Sequence, residues 1–270
     1  MKIYVLGSKG MLGRYVSNYL SNYFTVVNIN RDEIDASTVS EKELTTKLLH
    51  LGLTKDDFLI NCIGTIKPMI DSLGDLNAIK VNSVFPRILS NVCCEIGTKM
   101  IHPSTDCVYD GKKGKYNENS IHDITDVYGR TKSLGEPNNC MIIRTSIIGE
   151  ELENSRSLVE WVKSQKNGSA NGFNDHLWNG VTCLEWTKYV KKIIDTNNYW
   201  VGVKHIFSPK SINKYELLDM INKTYELNIS VIEIKSENPV DRTLSSIYKP
   251  IFEIPDLSEQ IKEMKEFKLK

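Results

Sequence analysis

The chain predicts an α/β protein: a doubly wound parallel sheet with a smaller α/β domain behind it. Three observations carry this expectation. Short apolar runs alternate with helical patterns through residues 1–145, and strands alternating with helices across short turns build parallel sheets. A glycine triple, Gly7, Gly10 and Gly13, lies between the first strand and the first helix. Beyond Thr145 the alternation loosens into scattered helices and short strands, as expected of a second unit with a different plan.

Residues 2–7 read as a buried strand, and Met11 to Tyr23 as a helix with Leu12, Val16 and Leu20 on one face. Phe24 to Ile29 is a second strand, rich in β-branched residues. Glu41 to Leu49 is a weaker helix, and Phe58 to Ile63 a third strand ending at Gly64. Asp75 to Ile96 carries a long helical period containing Pro86. A kink or break is expected there, because proline lacks a donor and crowds the preceding turn. Lys99 to His102 is a fourth strand, followed by a loop, a helix carrying Tyr128, and a fifth strand from Cys140 to Arg144. Further on, Leu158 to Val162, Leu184 to Ile194 and Tyr215 to Tyr225 read as helices, and Val203 to Phe207 and Ser230 to Ile234 as strands. The tail from Leu257 to Phe267 is a charged helix with Ile261 and Met264 inward. The expected division gives residues 1–145 to one domain, with 181–204 packing back on it, and 146–180 with 205–270 to the other.

The turn Gly7-Ser8-Lys9-Gly10-Met11-Leu12-Gly13 follows a strand and opens a helix. Glycines there allow a tight turn and close backbone approach to a pyrophosphate, which the first helical amides face. Gly7, Gly10, Met11, Leu12 and Gly13 are therefore expected to hold a dinucleotide. The second strand ends in Asn28-Ile29-Asn30-Arg31, without the carboxylate that would take a ribose 2′-hydroxyl. Asn30 and Arg31 sit at the tip, and a guanidinium suits a 2′-phosphate, so NADP is expected rather than NAD. Cys62, Ile63 and Gly64 end the third strand, where backbone would pass the same cofactor.

Tyr128 and Lys132 are four residues apart, hence on one helix face. An ammonium beside the phenol would lower its pKa and make Tyr128 a proton donor or acceptor for a carbonyl/alcohol pair. The segment His102-Pro103-Ser104-Thr105-Asp106-Cys107-Val108-Tyr109-Asp110-Gly111 follows the fourth strand, at the end of the sheet where such folds bind ligands. Together with the opening glycines, Ser-Thr-Asp-x-Val-Tyr-Asp-Gly and Tyr-Gly-Arg-Thr-Lys resemble the extended short-chain dehydrogenase/reductases, a Rossmann-type family. The subgroup most similar is dTDP-4-dehydrorhamnose reductase. The likeness is dense over residues 1–145 and thins to Arg144-Thr145-Ser146, Asn179-Gly180-Val181-Thr182 and Asp241-Arg242-Thr243.

The resemblance implies that NADPH reduces the C4 ketone of a nucleotide-linked 4-keto-6-deoxyhexose. It implies that Tyr128 protonates the alkoxide, Lys132 tunes Tyr128 and holds the nicotinamide ribose, Thr105 bonds the reacting oxygen and Asp106 orients substrate hydroxyls. Ser104 would replace Thr105 if the loop register differed. Arg144, Trp178, Asn179 and Arg242 are the substrate candidates, and homodimers are common in the family. In one place the chain departs from the subgroup: Cys107 stands two residues after the threonine, where an aromatic is usual. Related epimerase/reductases have a cysteine there, paired with a His or Lys from the later domain. His176 is the candidate partner, and C3 or C3/C5 epimerisation is the activity it would add. The competing enzyme class is a 4-epimerase or 4,6-dehydratase of the same fold. A dehydratase needs a glutamate where Cys107 follows Asp106. A non-catalytic NADP-binding regulatory subunit is the competing non-enzyme.

Composition narrows the field further. Lys plus Arg number 34, as do Asp plus Glu, and no basic run exists for nucleic acid or a membrane surface. No apolar run approaches the roughly eighteen residues of a membrane span, and the opening residues read as a strand rather than an export signal. Cys62, Cys93, Cys94, Cys107, Cys140 and Cys183 form no C-x-x-C pair, and the five histidines are dispersed. No metal site is expected. Free thiols and a cytoplasmic location are.

Overall fold

A computed structural model describes residues 1–153 and 155–270. In chain order the first part comprises β1 (Lys2–Leu6), α1 (Met11–Leu20), β2 (Thr25–Ile29), α2 (Glu41–His50), β3 (Phe58–Asn61), α3 (Lys67–Leu73), α4 (Asp75–Ile79), α5 (Phe85–Ile96), β4 (Lys99–Ser104), α6 (Val127–Leu134) and β5 (Met141–Arg144). Then come β6 (Ile147–Ile148), α7 (Leu158–Ser164), β7 (Ser169–Phe173), β8 (His176–Trp178), β9 (Val181–Thr182), α8 (Cys183–Asp195) and β10 (Gly202–His205). The chain closes with β11 (Ile212–Asn213), α9 (Lys214–Tyr225), β12 (Ser230–Ile234), β13 (Val240–Asp241) and α10 (Leu257–Glu266).

Six strands form one parallel sheet in the order β2-β1-β3-β4-β5-β10. The inner strands β1, β3 and β5 are buried on both faces, which is why they read as mainly apolar runs, while the edge strands β2 and β10 are only partly covered. Ile3, Val5, Ile60, Ile101, Met141 and Ile143 face one core with Leu12, Val16 and Leu20 of α1 and Trp186, Val190 and Ile193 of α8. Tyr4, Leu6, Leu59, Met100 and Ile142 face the other, with Leu44 and Leu48 of α2 and Phe85, Leu89 and Val92 of α5. Each such side chain contributes about 1.5–3 kcal/mol by leaving water, so the sheet is a rigid floor. The order of strands reverses between β1 and β3, and the crevice for a ligand opens at their carboxyl ends.

Pro86 breaks the long helix less sharply than expected. A π-helical turn, Lys80–Val84, joins α4 to α5, and Pro86 sits in the first turn of α5, where its missing N–H has least effect. That turn aims Asn82 at the Tyr128 helix. Its Oδ1 accepts from the Thr65 amide at 2.8 Å, and its Nδ2 donates to Thr65 O at 2.9 Å and Thr131 Oγ1 at 3.2 Å.

The later segments fold as small sheets beside the large one. β7 pairs with β12 and β6 with β9, in parallel, while β8 lies between β11 and β13. Ile261 and Met264 of α10 are fully buried, and so is Gln260. The Gln260 amide accepts from Thr182 N at 3.0 Å and donates to Ser208 Oγ at 2.9 Å. Among the described residues no helix is long and apolar enough to cross a membrane.

Candidate functional site

The first turn is built for backbone approach. Gly7 has φ +73°, and a Cβ there would lie 3.0 Å from Cys62 C and Ile63 N. A Cβ on Gly13 would lie 2.1 Å from Gly7 O, so only glycine lets α1 start so close to the turn. The N-cap of α1 is Gly10, which has no side chain to occupy the first helical amides, and no acidic residue stands in the first turn. Those amides remain free for an anion. Gly7, Gly10, Arg31, Cys62, Ile63 and Gly64 line one cavity of about 210 Å³. The cradle fits a dinucleotide diphosphate. Leu12 is buried in the core, and Met11 packs against it. Asn30 fastens the turn: its Oδ1 accepts from Ser8 Oγ at 2.9 Å and its N–H donates to Glu33 Oε2 at 2.8 Å. Arg31 is exposed and paired with Asp35 at 3.1 Å.

The reacting groups gather where β4 and α6 meet. Asp126 caps α6 by accepting from Gly129 N at 2.8 Å. Gly129 then lets the helix touch the Thr105 loop, since a Cβ there would lie 2.3 Å from Cys107 O. Thr105 Oγ1 accepts from Cys107 N at 3.1 Å and lies 3.1 Å from Asp106 Oδ1. The Tyr128 phenol is half-buried, and burial is the main cause of its raised pKa. Cys107 adds to the rise, while the neighbouring Thr105 hydroxyl opposes it. Lys67 Nζ stands 6.0 Å from the Tyr128 ring centre and 2.7 Å from Asp126 Oδ2.

Lys132 corrects one expectation. Its Nζ donates to Pro103 O at 3.2 Å, at the strand ends beside Cys62, and the phenol is raised rather than lowered. Burial pulls Lys132 down to about 8, against Glu136 and Cys62.

Several candidate substrate residues are occupied elsewhere. Arg144 is 2% exposed. Its guanidinium donates to Glu136 Oε2 at 2.6 Å, Glu136 Oε1 at 3.0 Å, Tyr109 Oη at 2.7 Å, His205 Nε2 at 2.8 Å and His122 Nε2 at 2.9 Å. It has nothing left for a diphosphate. Ser104 Oγ is bonded to Glu136, so it cannot stand in for Thr105. Asn179 clamps Leu244 through both side-chain atoms, at 2.8 Å each. His176 stacks on Phe173, with ring centroids 4.5 Å apart.

Three cations surround Cys107: Arg242 and Lys67 act on its thiol, and Lys214, not among the expected site residues, stands on the Trp178 side. Lys214 Nζ lies 5.0 Å from the Trp178 ring centre, and Asp106 and Cys107 both act on it to oppose the lowering caused by burial. Trp178 is therefore the wall beneath Lys214. Cys107 itself is pushed up to about 12 by burial and then Asp106, with Arg242 opposing. Arg242 is half-buried and donates through Nε to Tyr109 O at 3.0 Å. A signal for Lys214 existed. Asn213 and Glu216 form a capping box, which fixes Lys214 as the first residue of α9. A lysine there opposes the helix dipole and invites a functional reason.

Phenol, ammonium and hydroxyl thus stand at the strand ends beside a dinucleotide cradle, the conjunction on which the extended short-chain dehydrogenase/reductases are built. The model of the RmlD substrate binding domain matches residues 1–243, and the chain belongs to that family. Methionine adenosyltransferase 2 subunit beta of Xenopus laevis is 26% identical over 262 residues, covering 88% of this chain and 76% of that one. A dTDP-4-keto-6-deoxy-D-glucose reductase of Streptomyces niveus is 30% identical over 152 residues, and the match spans about half of its length. The crystal structure of dTDP-4-dehydrorhamnose reductase from Bacillus anthracis in complex with NADP superposes with a TM-score of 0.81 at 17% identity, over 98% of both chains.

Proposed function

We propose that the chain is an NADPH-dependent reductase of the C4 ketone of a nucleotide-linked 4-keto-6-deoxyhexose. The observation that carries this is Tyr128 and Thr105 side by side at the sheet's carboxyl edge, next to the glycine cradle. When bound, the cofactor supplies hydride to the carbonyl carbon. Thr105 and Tyr128 hold the carbonyl oxygen between them. The phenol is protonated at neutral pH, and Tyr128 delivers its proton as negative charge develops on that oxygen. Lys132 faces the cofactor side and holds the ribose there. Residues 1–145 and 181–204 form the cofactor domain, and 146–180 and 205–270 the substrate domain. Arg242 is the cation available to the substrate diphosphate, because Arg144 is consumed internally. Arg31 and the NADP-bound structural relative support NADP over NAD.

The finer reading adds epimerisation, with Lys214 in place of His176. Burial disfavours the Lys214 ammonium and the Cys107 thiolate alike. Lys214 therefore acts as the base, removing a proton α to the ketone, and the electron pair passes to the oxygen held by Thr105. The Cys107 thiol returns a proton to the other face, and solvent resets both groups. Incubation with NADPH and a panel of 4-keto-6-deoxy nucleotide sugars in D2O tests both readings. Absorbance loss reports reduction. Deuterium at C3 or C5 that disappears in Cys107→Ser reports epimerisation. Normal reduction without deuterium leaves a plain reductase.

One observation favours a second reading. The relatives that match over most of this chain are named as subunits of methionine adenosyltransferase. NADPH binding without turnover on the whole panel would support a regulatory subunit instead.

A further inference from the structure

We propose that Glu136 is the positioning residue of this site: it clamps the end of β4, which carries Thr105, to the helix of Tyr128 and Lys132, and supplies the negative charge that Lys132 faces. The inference rests on the roles proposed above for Thr105, Tyr128 and Lys132. Glu136 lies four residues beyond Lys132, just past the end of α6, and its side chain is 8% exposed. One oxygen takes Ser104 Oγ, the residue before Thr105, and both take Arg144 of β5. Three segments that are distant in sequence thus converge on one carboxylate. Charge-assisted and bidentate bonds of this kind are the strong ones.

Two carboxylates serve the cluster: Glu136, bonded to Ser104 and Arg144, and Glu118, which accepts from His205 N at 2.8 Å and acts on Arg144 without a bond to it. A guanidinium can only donate, so His122 and His205 accept on Nε2 and keep their protons on Nδ1. There His205 donates to Ser245 O at 2.8 Å, and His122 donates to Ser133 Oγ at 2.7 Å. Both histidines are neutral, and Tyr109 is a phenol held protonated by burial. Lys132 faces Glu136, Cys62, His102 and the Pro103 carbonyl. Without the Glu136 carboxylate, Lys132 would lose the carboxylate it faces, and Arg144 would keep only Glu118. Arginine does not give up its proton, so Lys132 would.

The test needs neither cofactor nor substrate. In protein carrying 13C-lysine, the Lys132 13Cε resonance, assigned with Lys132→Arg, is followed through alkaline pH. Glu136→Gln keeps the shape and removes the charge, and the Lys132 midpoint should fall by roughly one unit or more. If that variant does not fold, Glu136→Gln with Arg144→Met also removes the guanidinium left without its bidentate partner and should show the same direction. An unchanged midpoint in a folded variant overturns the electrostatic part. Ser104→Ala keeps the charge and loses only the clamp. Lys132 should titrate as before, while the Cys107 amide, which donates to Thr105 Oγ1, should exchange with solvent roughly tenfold faster. Unchanged exchange overturns the clamp. A protein that never turns over would sink the reductase reading and leave these outcomes standing.

Discussion

Burial raises the Tyr128 phenol above its ordinary value, where the sequence led to the expectation of a phenol lowered by Lys132, and a protonated phenol suits a proton donor. Tyr128→Phe should lose about 10²–10⁴-fold in turnover and still bind NADPH, as read by quenching of cofactor fluorescence. Retained turnover would remove Tyr128 from the chemistry. Lys214→Met should abolish solvent deuterium at C3 or C5 while leaving reduction measurable, and exchange that persists would return the search to His176. The gathering of Thr105, Asp106, Cys107 and Tyr128 was legible because each lies in a compact local pattern. Arg144, Ser104 and Asn179 were misread for a shared reason. Sequence shows that a residue is polar, but not whether a buried partner far along the chain has already taken its hydrogen bonds. Lys214 escaped because its meaning comes from Trp178 and Cys107, neither of which is near it in sequence.

At the scale of elements, two close approaches hold the site together, and each has its own substitution. Gly13→Ala would press a Cβ to 2.1 Å from Gly7 O. It should cost about 1–3 kcal/mol and weaken NADPH binding. Gly129→Ala would place a Cβ 2.3 Å from Cys107 O and push the Tyr128 helix away from the Thr105 loop. The expected loss there is in kcat, with cofactor affinity retained. Titrating both variants with NADPH and then measuring turnover separates them; the same deficit in both would mean general destabilisation. The inner strands of the large sheet were readable, since both faces of β1, β3 and β5 are buried and their runs are mainly apolar. β7 was not: Ser169-Ala-Asn-Gly-Phe173 has only two apolar side chains, and its partner β12 begins only at Ser230. Gly172 is there because α9 crosses it, with Tyr215 Cα 2.5 Å from where its Cβ would lie. α3 was missed as well, although Pro68 in its first turn is a start signal.

Across the whole molecule, the Arg144 cluster ties β4, β5 and β10 of the sheet to the loop before α6, and it carries a pH limit. Burial and Arg144 hold His205 down to about 4, against an unfolded value near 6.5. The unfolded chain therefore takes up a proton first as pH falls. Stability should be complete above about 6.5 and decline toward about 4, by at most about 1.4 kcal/mol per pH unit from this residue. Urea unfolding at successive pH values would show it, and His205→Gln should flatten the decline. An equally steep decline in that variant would place the titration elsewhere. The doubly wound plan was evident from alternation alone. Of the small sheets beyond Thr145 only β12 was, because β6, β8, β9, β11 and β13 are two or three residues long and carry no periodicity.

The most direct measurement follows the hydride. Protein, NADPH deuterated at the transferable position and a 4-keto-6-deoxy nucleotide sugar are combined, and the sugar product is examined by NMR. A reductase of the proposed kind places one deuterium on C4 of the sugar, and the Tyr128→Phe variant places almost none. Tight NADPH binding with no deuterium transferred to any 4-keto-6-deoxy sugar would contradict it.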